Sequence, residues 1–319
     1  MKQINFIFGI VLAITLNVVT TSCRSEDDDA IQTSSKRISL IDLEIQTSGG
    51  STKNECVQLS YNTKKQVENI YYYNGIYSSE KTSDLFVDYQ AKSFFVNSSW
   101  TSDFEAYYNL NKEGFISIYR DKGANAKSNI FYLEYDNNGH LTTIKQNLID
   151  KSTGSTKETR KAEWEYMYSN GNLVKINKYY YNYYYNDYDN EYLERKRLET
   201  CLIFTYSDSP NTIGLPVCFA TQGAYRRESY FPFIFIEGIY GGYGIHSLYA
   251  TGLSLTGLFG KPTKNLISTC REEYYGSNDY SCRFRYQYDD NGNLTTITGN
   301  STNANPSLGT AVFKWHIEY

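Results

Sequence analysis

Three histidines (His140, His246 and His316) and six cysteines are the residues of this 319-residue chain best suited to nucleophilic or metal chemistry. They do not assemble into a motif. There is no Cys-x-x-Cys and no Cys/His cluster, so a zinc site is not expected. No histidine has a Ser or Cys and an acid at an informative spacing. Asp289, Asn291 and Asn293 are spaced like calcium ligands. However, Gly292 precedes the third ligand, and position 300 is Asn where an EF-hand loop closes on Glu. Turn chemistry accounts for the same residues. The 35 acids could supply the carboxylate pair of a glycoside hydrolase from distant positions, yet nothing selects two of them. The expectation is a non-enzyme without a cofactor, with the hydrolase as an alternative.

Binding chemistry is better represented. Residues 179–192 read Tyr-Tyr-Tyr-Asn-Tyr-Tyr-Tyr-Asn-Asp-Tyr-Asp-Asn-Glu-Tyr. Tyr183, Tyr184, Tyr185 and Tyr188 could form an aromatic platform for a glycan, since Tyr joins an apolar face to a polar tip. The same run also reads as a long hairpin whose tyrosines pack across strands. Cys270 and Cys282 flank Tyr275-Gly276-Ser277, the expected tip of a hairpin, at nearly equal distances, which makes them a candidate disulfide. Cys201 and Cys218 flank an expected turn at 207–211 in a similar way, which leaves Cys56 as a small buried hydrophobe.

Internal repeats indicate what positions these groups. Tyr135-Asp-Asn-Asn-Gly139-His140-Leu141-Thr-Thr-Ile144 recurs as Tyr288-Asp-Asp-Asn-Gly292-Asn293-Leu294-Thr-Thr-Ile297. Tyr168-Ser-Asn-Gly171-Asn172-Leu173-Val-Lys-Ile176 is one residue shorter, and looser copies begin at Tyr61, Tyr108 and Tyr206. Alternating strands stop near each Tyr, and Asn-Gly segments supply the positive-φ positions of a reversal. The fold class is therefore all-β, an antiparallel meander of hairpins forming a curled sheet or barrel. A tyrosine count of 33 with 5 Pro fits pleated, half-buried surfaces. Residues 223–260 are Gly-rich and apolar and break the rhythm. They are expected to provide a short helical or loop plug near 245–260, or a loop lining a pocket.

The first 22 residues read as a targeting segment. Lys2 precedes an apolar stretch at 4–19 that Asn5, Thr15 and Asn17 interrupt. Val19-Thr-Thr-Ser22-Cys23 resembles the lipobox of bacterial lipoproteins, in which the Cys thiol is lipidated. The acidic run Arg24-Ser-Glu-Asp-Asp-Asp29 resembles the surface-export signal of Bacteroidota lipoproteins, and also reads as a solvated linker. The organisation is then 1–22 signal peptide, 23–37 flexible acidic linker and 38–319 a single β domain. The chain would be anchored to the outer membrane through Cys23, facing the cell exterior, with an extracellular glycan or an envelope protein as partner. A net charge of −4 gives no basic surface for nucleic acid.

Gly257-Leu-Phe-Gly-Lys-Pro-Thr-Lys-Asn-Leu266 resembles the Leu-Gly-Lys-Pro-Ser-Lys-Asn-Leu signature of a Bacteroidota lipoprotein family of unknown function with a porin-like fold. The hairpin units and the closing strand at 313–319 share the resemblance. Thr263 stands where that family has Ser, and the Tyr run at 179–192 looks like an insertion. The resemblance implies a barrel-like antiparallel sheet and brings no catalytic residues. Phe313, Trp315, Ile317 and Tyr319 alternate as the last strand of an outer-membrane barrel would. Charges mixed into both faces of Lys161-Ala-Glu-Trp-Glu-Tyr166, and a redundant lipid anchor, favour a tethered barrel that does not span the membrane.

Overall fold

Alternating apolar residues between Asn-Gly turns fold as strands. The computed structural model describes residues 37–47, 52–73, 81–98, 104–121, 127–150, 157–186, 191–215, 253, 255–274, 277–303 and 310–319. Sixteen strands lie among them: β1 Leu40–Thr47, β2 Thr52–Tyr61, β3 Val67–Tyr73, β4 Lys81–Asp88, β5 Ser93–Ser98, β6 Phe104–Leu110, β7 Ile116–Asp121 and β8 Lys127–Tyr135. The remainder are β9 Leu141–Asp150, β10 Glu158–Ser169, β11 Asn172–Asn186, β12 Glu191–Pro210, β13 Asn265–Tyr274, β14 Ser277–Tyr288, β15 Leu294–Asn303 and β16 Thr310–Glu318. Each pairs antiparallel with its chain neighbours, and β1 pairs with β16, so the sheet is a closed barrel with no free edge.

The expected turns form with one shared chemistry. Asp136 Oδ1 accepts from the backbone N–H groups of Asn138 (2.9 Å) and His140 (2.8 Å), and Asp289 Oδ1 accepts from those of Asn291 (2.9 Å) and Asn293 (2.8 Å). Asn111 Oδ1 does the same for Glu113 and Phe115. Gly139, Gly292 and Gly114 take φ values of 84°, 79° and 87°. The Asp289 carboxylate, spaced in sequence like a calcium ligand, is thus engaged by turn amides. His140 ends its turn as expected, and its ring also stacks on Tyr168 with centroids 4.5 Å apart. A register shift falls beside the repeat tyrosine in Glu134/Tyr135, Met167/Tyr168 and Gln287/Tyr288. Such bulges increase local twist and help a sheet curl shut.

One sequence expectation fails here: β12 continues through Pro210, and the turn lies at 211–214 instead of 207–211. The buried Asn211 explains the shift. Its Oδ1 accepts from the Leu215 N–H (2.8 Å) while its Nδ2 donates to the Leu215 and Thr263 carbonyls (2.8 and 3.1 Å).

Phe313, Trp315 and Ile317 of β16 are buried in the same core as Ile41 and Leu43 of β1. Their alternation therefore faces inward, the reverse of a lipid-facing strand. In β10, Ala162, Trp164 and Tyr166 are buried while Lys161, Glu163 and Glu165 are not. This corrects the expectation of charges on both faces; they gather on the outward one. No helix among the described residues is long and apolar enough to cross a membrane.

Six tyrosines, of which Tyr61, Tyr135 and Tyr206 begin hairpin repeats, reach backward to the foot of the preceding strand. The hydroxyls of Tyr61, Tyr89, Tyr135, Tyr206, Tyr286 and Tyr319 donate to the carbonyls of Ile38, Val67, Ile116, Leu173, Ile267 and Leu294 at 2.5–3.0 Å. Each hydroxyl satisfies a polar group that the core would otherwise strand, a net gain of about 1 kcal/mol apiece. Six of the 33 tyrosines are structural for this reason.

The plug is met in part. Leu253, Leu258 and Phe259 are buried in the core; residues 216–252, which hold His246, Cys218 and the first part of the expected plug, lie outside the described residues. From Leu258 onward the chain runs as a strap across successive hairpin tips. Ile116 N–H donates to the Leu258 carbonyl (2.8 Å), Lys261 N–H to that of Gly139 (2.9 Å) and Lys264 N–H to that of Gly171 (2.9 Å). From Lys261 to Lys264 three extended residues span about 10 Å, which matches two strand spacings of about 4.8 Å. The period of the strap is thus the period of the hairpins. Asn172 and Asn265 lock its end: Asn265 N–H donates to Asn172 Oδ1 (2.8 Å), and Asn172 Nδ2 to Asn265 Oδ1 (3.1 Å).

Candidate functional site

The Gly-Lys-Pro-Thr-Lys-Asn-Leu segment is therefore a structural strap. The residues left for ligand chemistry lie on the outward face of β10, β11 and β12, where the Tyr-rich run begins. Register places Tyr183, Tyr184 and Tyr185 opposite Glu194, Leu193 and Tyr192. Tyr183 is exposed, and the side chains of Tyr184 and Tyr185 lie outside the described residues. Tyr188 lies outside the described residues.

The period-two set Tyr179, Tyr181 and Tyr183 lines up, of which only Tyr183 was singled out from sequence. Tyr179 donates to Glu165 Oε2 (3.0 Å) and Tyr181 to Glu163 Oε2 (2.6 Å), while Tyr183 donates to the Arg160 carbonyl and Glu194 Oε2 (3.2 Å each). Lys196 bridges the two β10 carboxylates, 2.9 Å from Glu163 Oε1 and 2.8 Å from Glu165 Oε1, and lies 4.0 Å from the Tyr179 ring centroid. Arg160 pairs with Glu163 (3.1 Å) and donates from Nε to Asn147 Oδ1 (2.7 Å). Asn147 donates in turn to Glu158 Oε2 (2.7 Å), which also accepts from Tyr132 (3.0 Å). The result is one hydrogen-bonded strip across five strands, in which Glu158, Glu163, Glu165 and Glu194 face two cations.

The electrostatics define what the strip can do. Burial alone would raise the Glu163 carboxyl. Hydrogen bonds from Tyr181 and Lys196, with the charges of Lys196 and Arg160, outweigh it and hold the group below the usual carboxylate range. Burial and the hydrogen bond to Glu163 push the Tyr181 phenol up to about 12. A glycosidase acid must keep its proton near neutrality. Glu163 is held in the opposite state, as a fixed anion that accepts hydrogen bonds. Asn177 lies buried beneath the strip. Its Nδ2 donates to the Tyr179 hydroxyl (3.2 Å), while its buried Oδ1 has no hydrogen-bond partner among the described residues. The charges of 161–166 read as lying on both faces, so only their alternation, taken with every second residue of 179–183, could have pointed to this strip. Lys196 had no signal, because only the register of β12 brings it there.

The predicted cysteines are placed as follows. Cys270 and Cys282 are direct register partners on β13 and β14, and both are buried. Cys56 and Cys201 are buried thiols whose register partners are not cysteines. Residues 1–36, with Cys23, lie outside the described residues.

No protein-family model matches this chain, and no curated protein does. Among solved structures it is similar to a porin-like protein from Bacteroides uniformis. The two share 14% sequence identity at a TM-score of 0.55, over 88% of this chain and 96% of that one. A porin-like protein from Bacteroides vulgatus shares 10% identity at a TM-score of 0.45, over 89% and 99%. At such identities the first likeness establishes the fold alone: this chain is a porin-like, all-β antiparallel barrel.

Proposed function

We propose that this chain is a lipid-anchored protein of the cell envelope, held at the outer membrane through Cys23, that binds an extracellular glycan without chemically altering it. The observation that carries the binding is the outward strip on β10–β12. It offers Tyr179, Tyr181 and Tyr183 beside carboxylates already oriented by hydrogen bonds. Sugars are met by aromatic faces and by fixed acceptors for their hydroxyls, and both are supplied here on a rigid sheet. A barrel whose outer face carries Arg160, Glu163, Glu165 and Lys196 is poorly suited to lipid contact, since a midplane Lys or Arg costs about 2–4 kcal/mol. The anchor is then lipid on Cys23, and the acidic run after it directs the barrel outward. The test is glycan-array and affinity-gel binding of the intact protein, repeated with Tyr181→Ala and Glu165→Gln. Binding that both variants reduce at least tenfold supports the reading; binding to no glycan, or unchanged in both, overturns it.

A second reading, an envelope assembly protein, draws on a different patch. Phe86 and Phe95 are direct partners on β4 and β5, and with Tyr107 on β6 all three are exposed. Neighbouring exposed aromatics of this kind fit a protein partner. Photo-crosslinking from position 95 in intact cells should then capture one stoichiometric protein, and no captured protein counts against it.

A further inference from the structure

We infer that Cys270 and Cys282 close a cross-strand disulfide between β13 and β14 when the chain matures in an oxidising compartment. The inference rests on the envelope placement proposed above for its oxidant, and on the barrel for its geometry. Directly opposed residues of an antiparallel pair have Cα atoms about 4.5 or 5.5 Å apart, and both values fall within the span of about 4.4–6.8 Å that a disulfide bridges. Register makes Cys270 and Cys282 such a pair. Both point into the core, where they are 1% and 2% exposed. Gly299 of β15 lies alongside: a Cβ there would stand 3.1 Å from Cys282 Sγ, so glycine leaves that sulfur the room to turn. Competing pairings lack this geometry among the described residues. Cys56 faces Asp42 and Tyr73 across its two strand neighbours, and Cys201 faces Asn177 and Glu273.

The chemistry is thiol–disulfide exchange with a disulfide-bearing oxidant. One cysteine thiolate attacks the oxidant's disulfide, forming a mixed disulfide and releasing one oxidant thiol. The second cysteine thiolate then attacks the first cysteine's sulfur, which forms the Cys270–Cys282 bond and releases the second oxidant thiol. Two electrons pass to the oxidant, and the two cysteine protons end on its thiols. Burial holds the Cys270 thiol well above its ordinary range, so exchange belongs to the folding chain, before the hairpin is covered.

The test uses the full chain, alkylated without reductant in lysed cells and digested after Lys and Arg. Cys270 then lies in residues 265–271 and Cys282 in residues 272–283. Supporting the inference, these two peptides appear joined, lighter by two hydrogens than their sum and separated by reductant, and neither is joined to the peptide of another cysteine. The same chain is also refolded in vitro in a glutathione redox buffer. Joined peptides after refolding but alkylated ones from cells uphold the pairing and overturn the placement. Cys270 and Cys282 both alkylated after refolding, or either joined to another cysteine, overturns the pairing. Cys282→Ser, which keeps the size of the side chain, should leave Cys270 fully alkylated; its capture by Cys201 or Cys56 would also overturn it.

Discussion

The carbonyl oxygen of Gly139 stands 2.7 Å from where a Cβ on Gly260 would lie, and the Tyr135 ring 2.9 Å from it. The strap thus passes over the β8–β9 tip at a distance only glycine permits, with φ at +94°. Gly260→Ala should destabilise the barrel by roughly 2–5 kcal/mol, combining backbone strain with overpacking. Gly257 has φ at +74° but open space around its Cβ position, so Gly257→Ala should cost only about 1 kcal/mol. Denaturant midpoints of the two variants measure the difference, and equal losses would refute close passage as the cause.

The tyrosine hydroxyls that bind neighbouring strands predict an alkaline limit. Burial raises the Tyr61 phenol from its ordinary 10.0 to about 12, and raises those of Tyr135, Tyr206 and Tyr286 as well. Below pH 10 these phenols are protonated in folded and unfolded chains alike, and their contribution is complete. Above it the unfolded chain loses protons first, so stability falls as pH rises from about 10 through the folded-state values. Unfolding followed by phenolate absorbance should show this. Tyr135→Phe or Tyr206→Phe should cost about 1–2 kcal/mol at neutral pH by leaving a carbonyl unsatisfied, and should make the alkaline fall shallower.

Glu163 predicts an acid limb. Its folded-state carboxyl is held below the ordinary 4.5, so its contribution is present above that pH and is lost as pH falls through the lowered value. Lys196 is about a third exposed, so solvent screening limits the pair to about 0.5–1 kcal/mol. Glu163→Gln should lower neutral-pH stability by that amount and flatten the acid side of a stability–pH profile. An unchanged acid side would show that the network does not depend on this charge.

Cys23→Ala should release the protein from the membrane fraction and abolish incorporation of a fatty-acid label, because stable attachment needs the acyl chains of a lipidated residue. Fractionation of cells expressing the variant checks it. A variant that stays membrane-bound without label would assign attachment to another part of the chain.

The hairpins were legible in sequence because a turn is a local event. An Asp or Asn side chain caps the amides two and four residues on, Gly supplies the positive φ, and both lie within one short motif, as at Asp136 and Gly139. The all-β class and the Cys270–Cys282 adjacency followed from the same local logic. Closure did not. Pairing of β1 with β16 joins residues near opposite ends of the chain, and no local pattern distinguishes it from an open curl. The direction of the β16 alternation was equally ambiguous, since period two names a face but not which side it looks toward.

The candidate site divides along the same line. The sequence by itself showed a run of tyrosines in β11 and a charged segment in β10, because composition is a property of one strand; it did not show that the β10 charges share the outward face. Only the tertiary structure decided that Tyr181 meets Glu163, that Lys196 bridges Glu163 to Glu165, and that six other tyrosines serve the frame. It likewise made the segment 258–265 a strap across hairpin tips. Such contacts depend on strand register, and register is set by the sum of bulges and pairings around the closed sheet, not by any one segment.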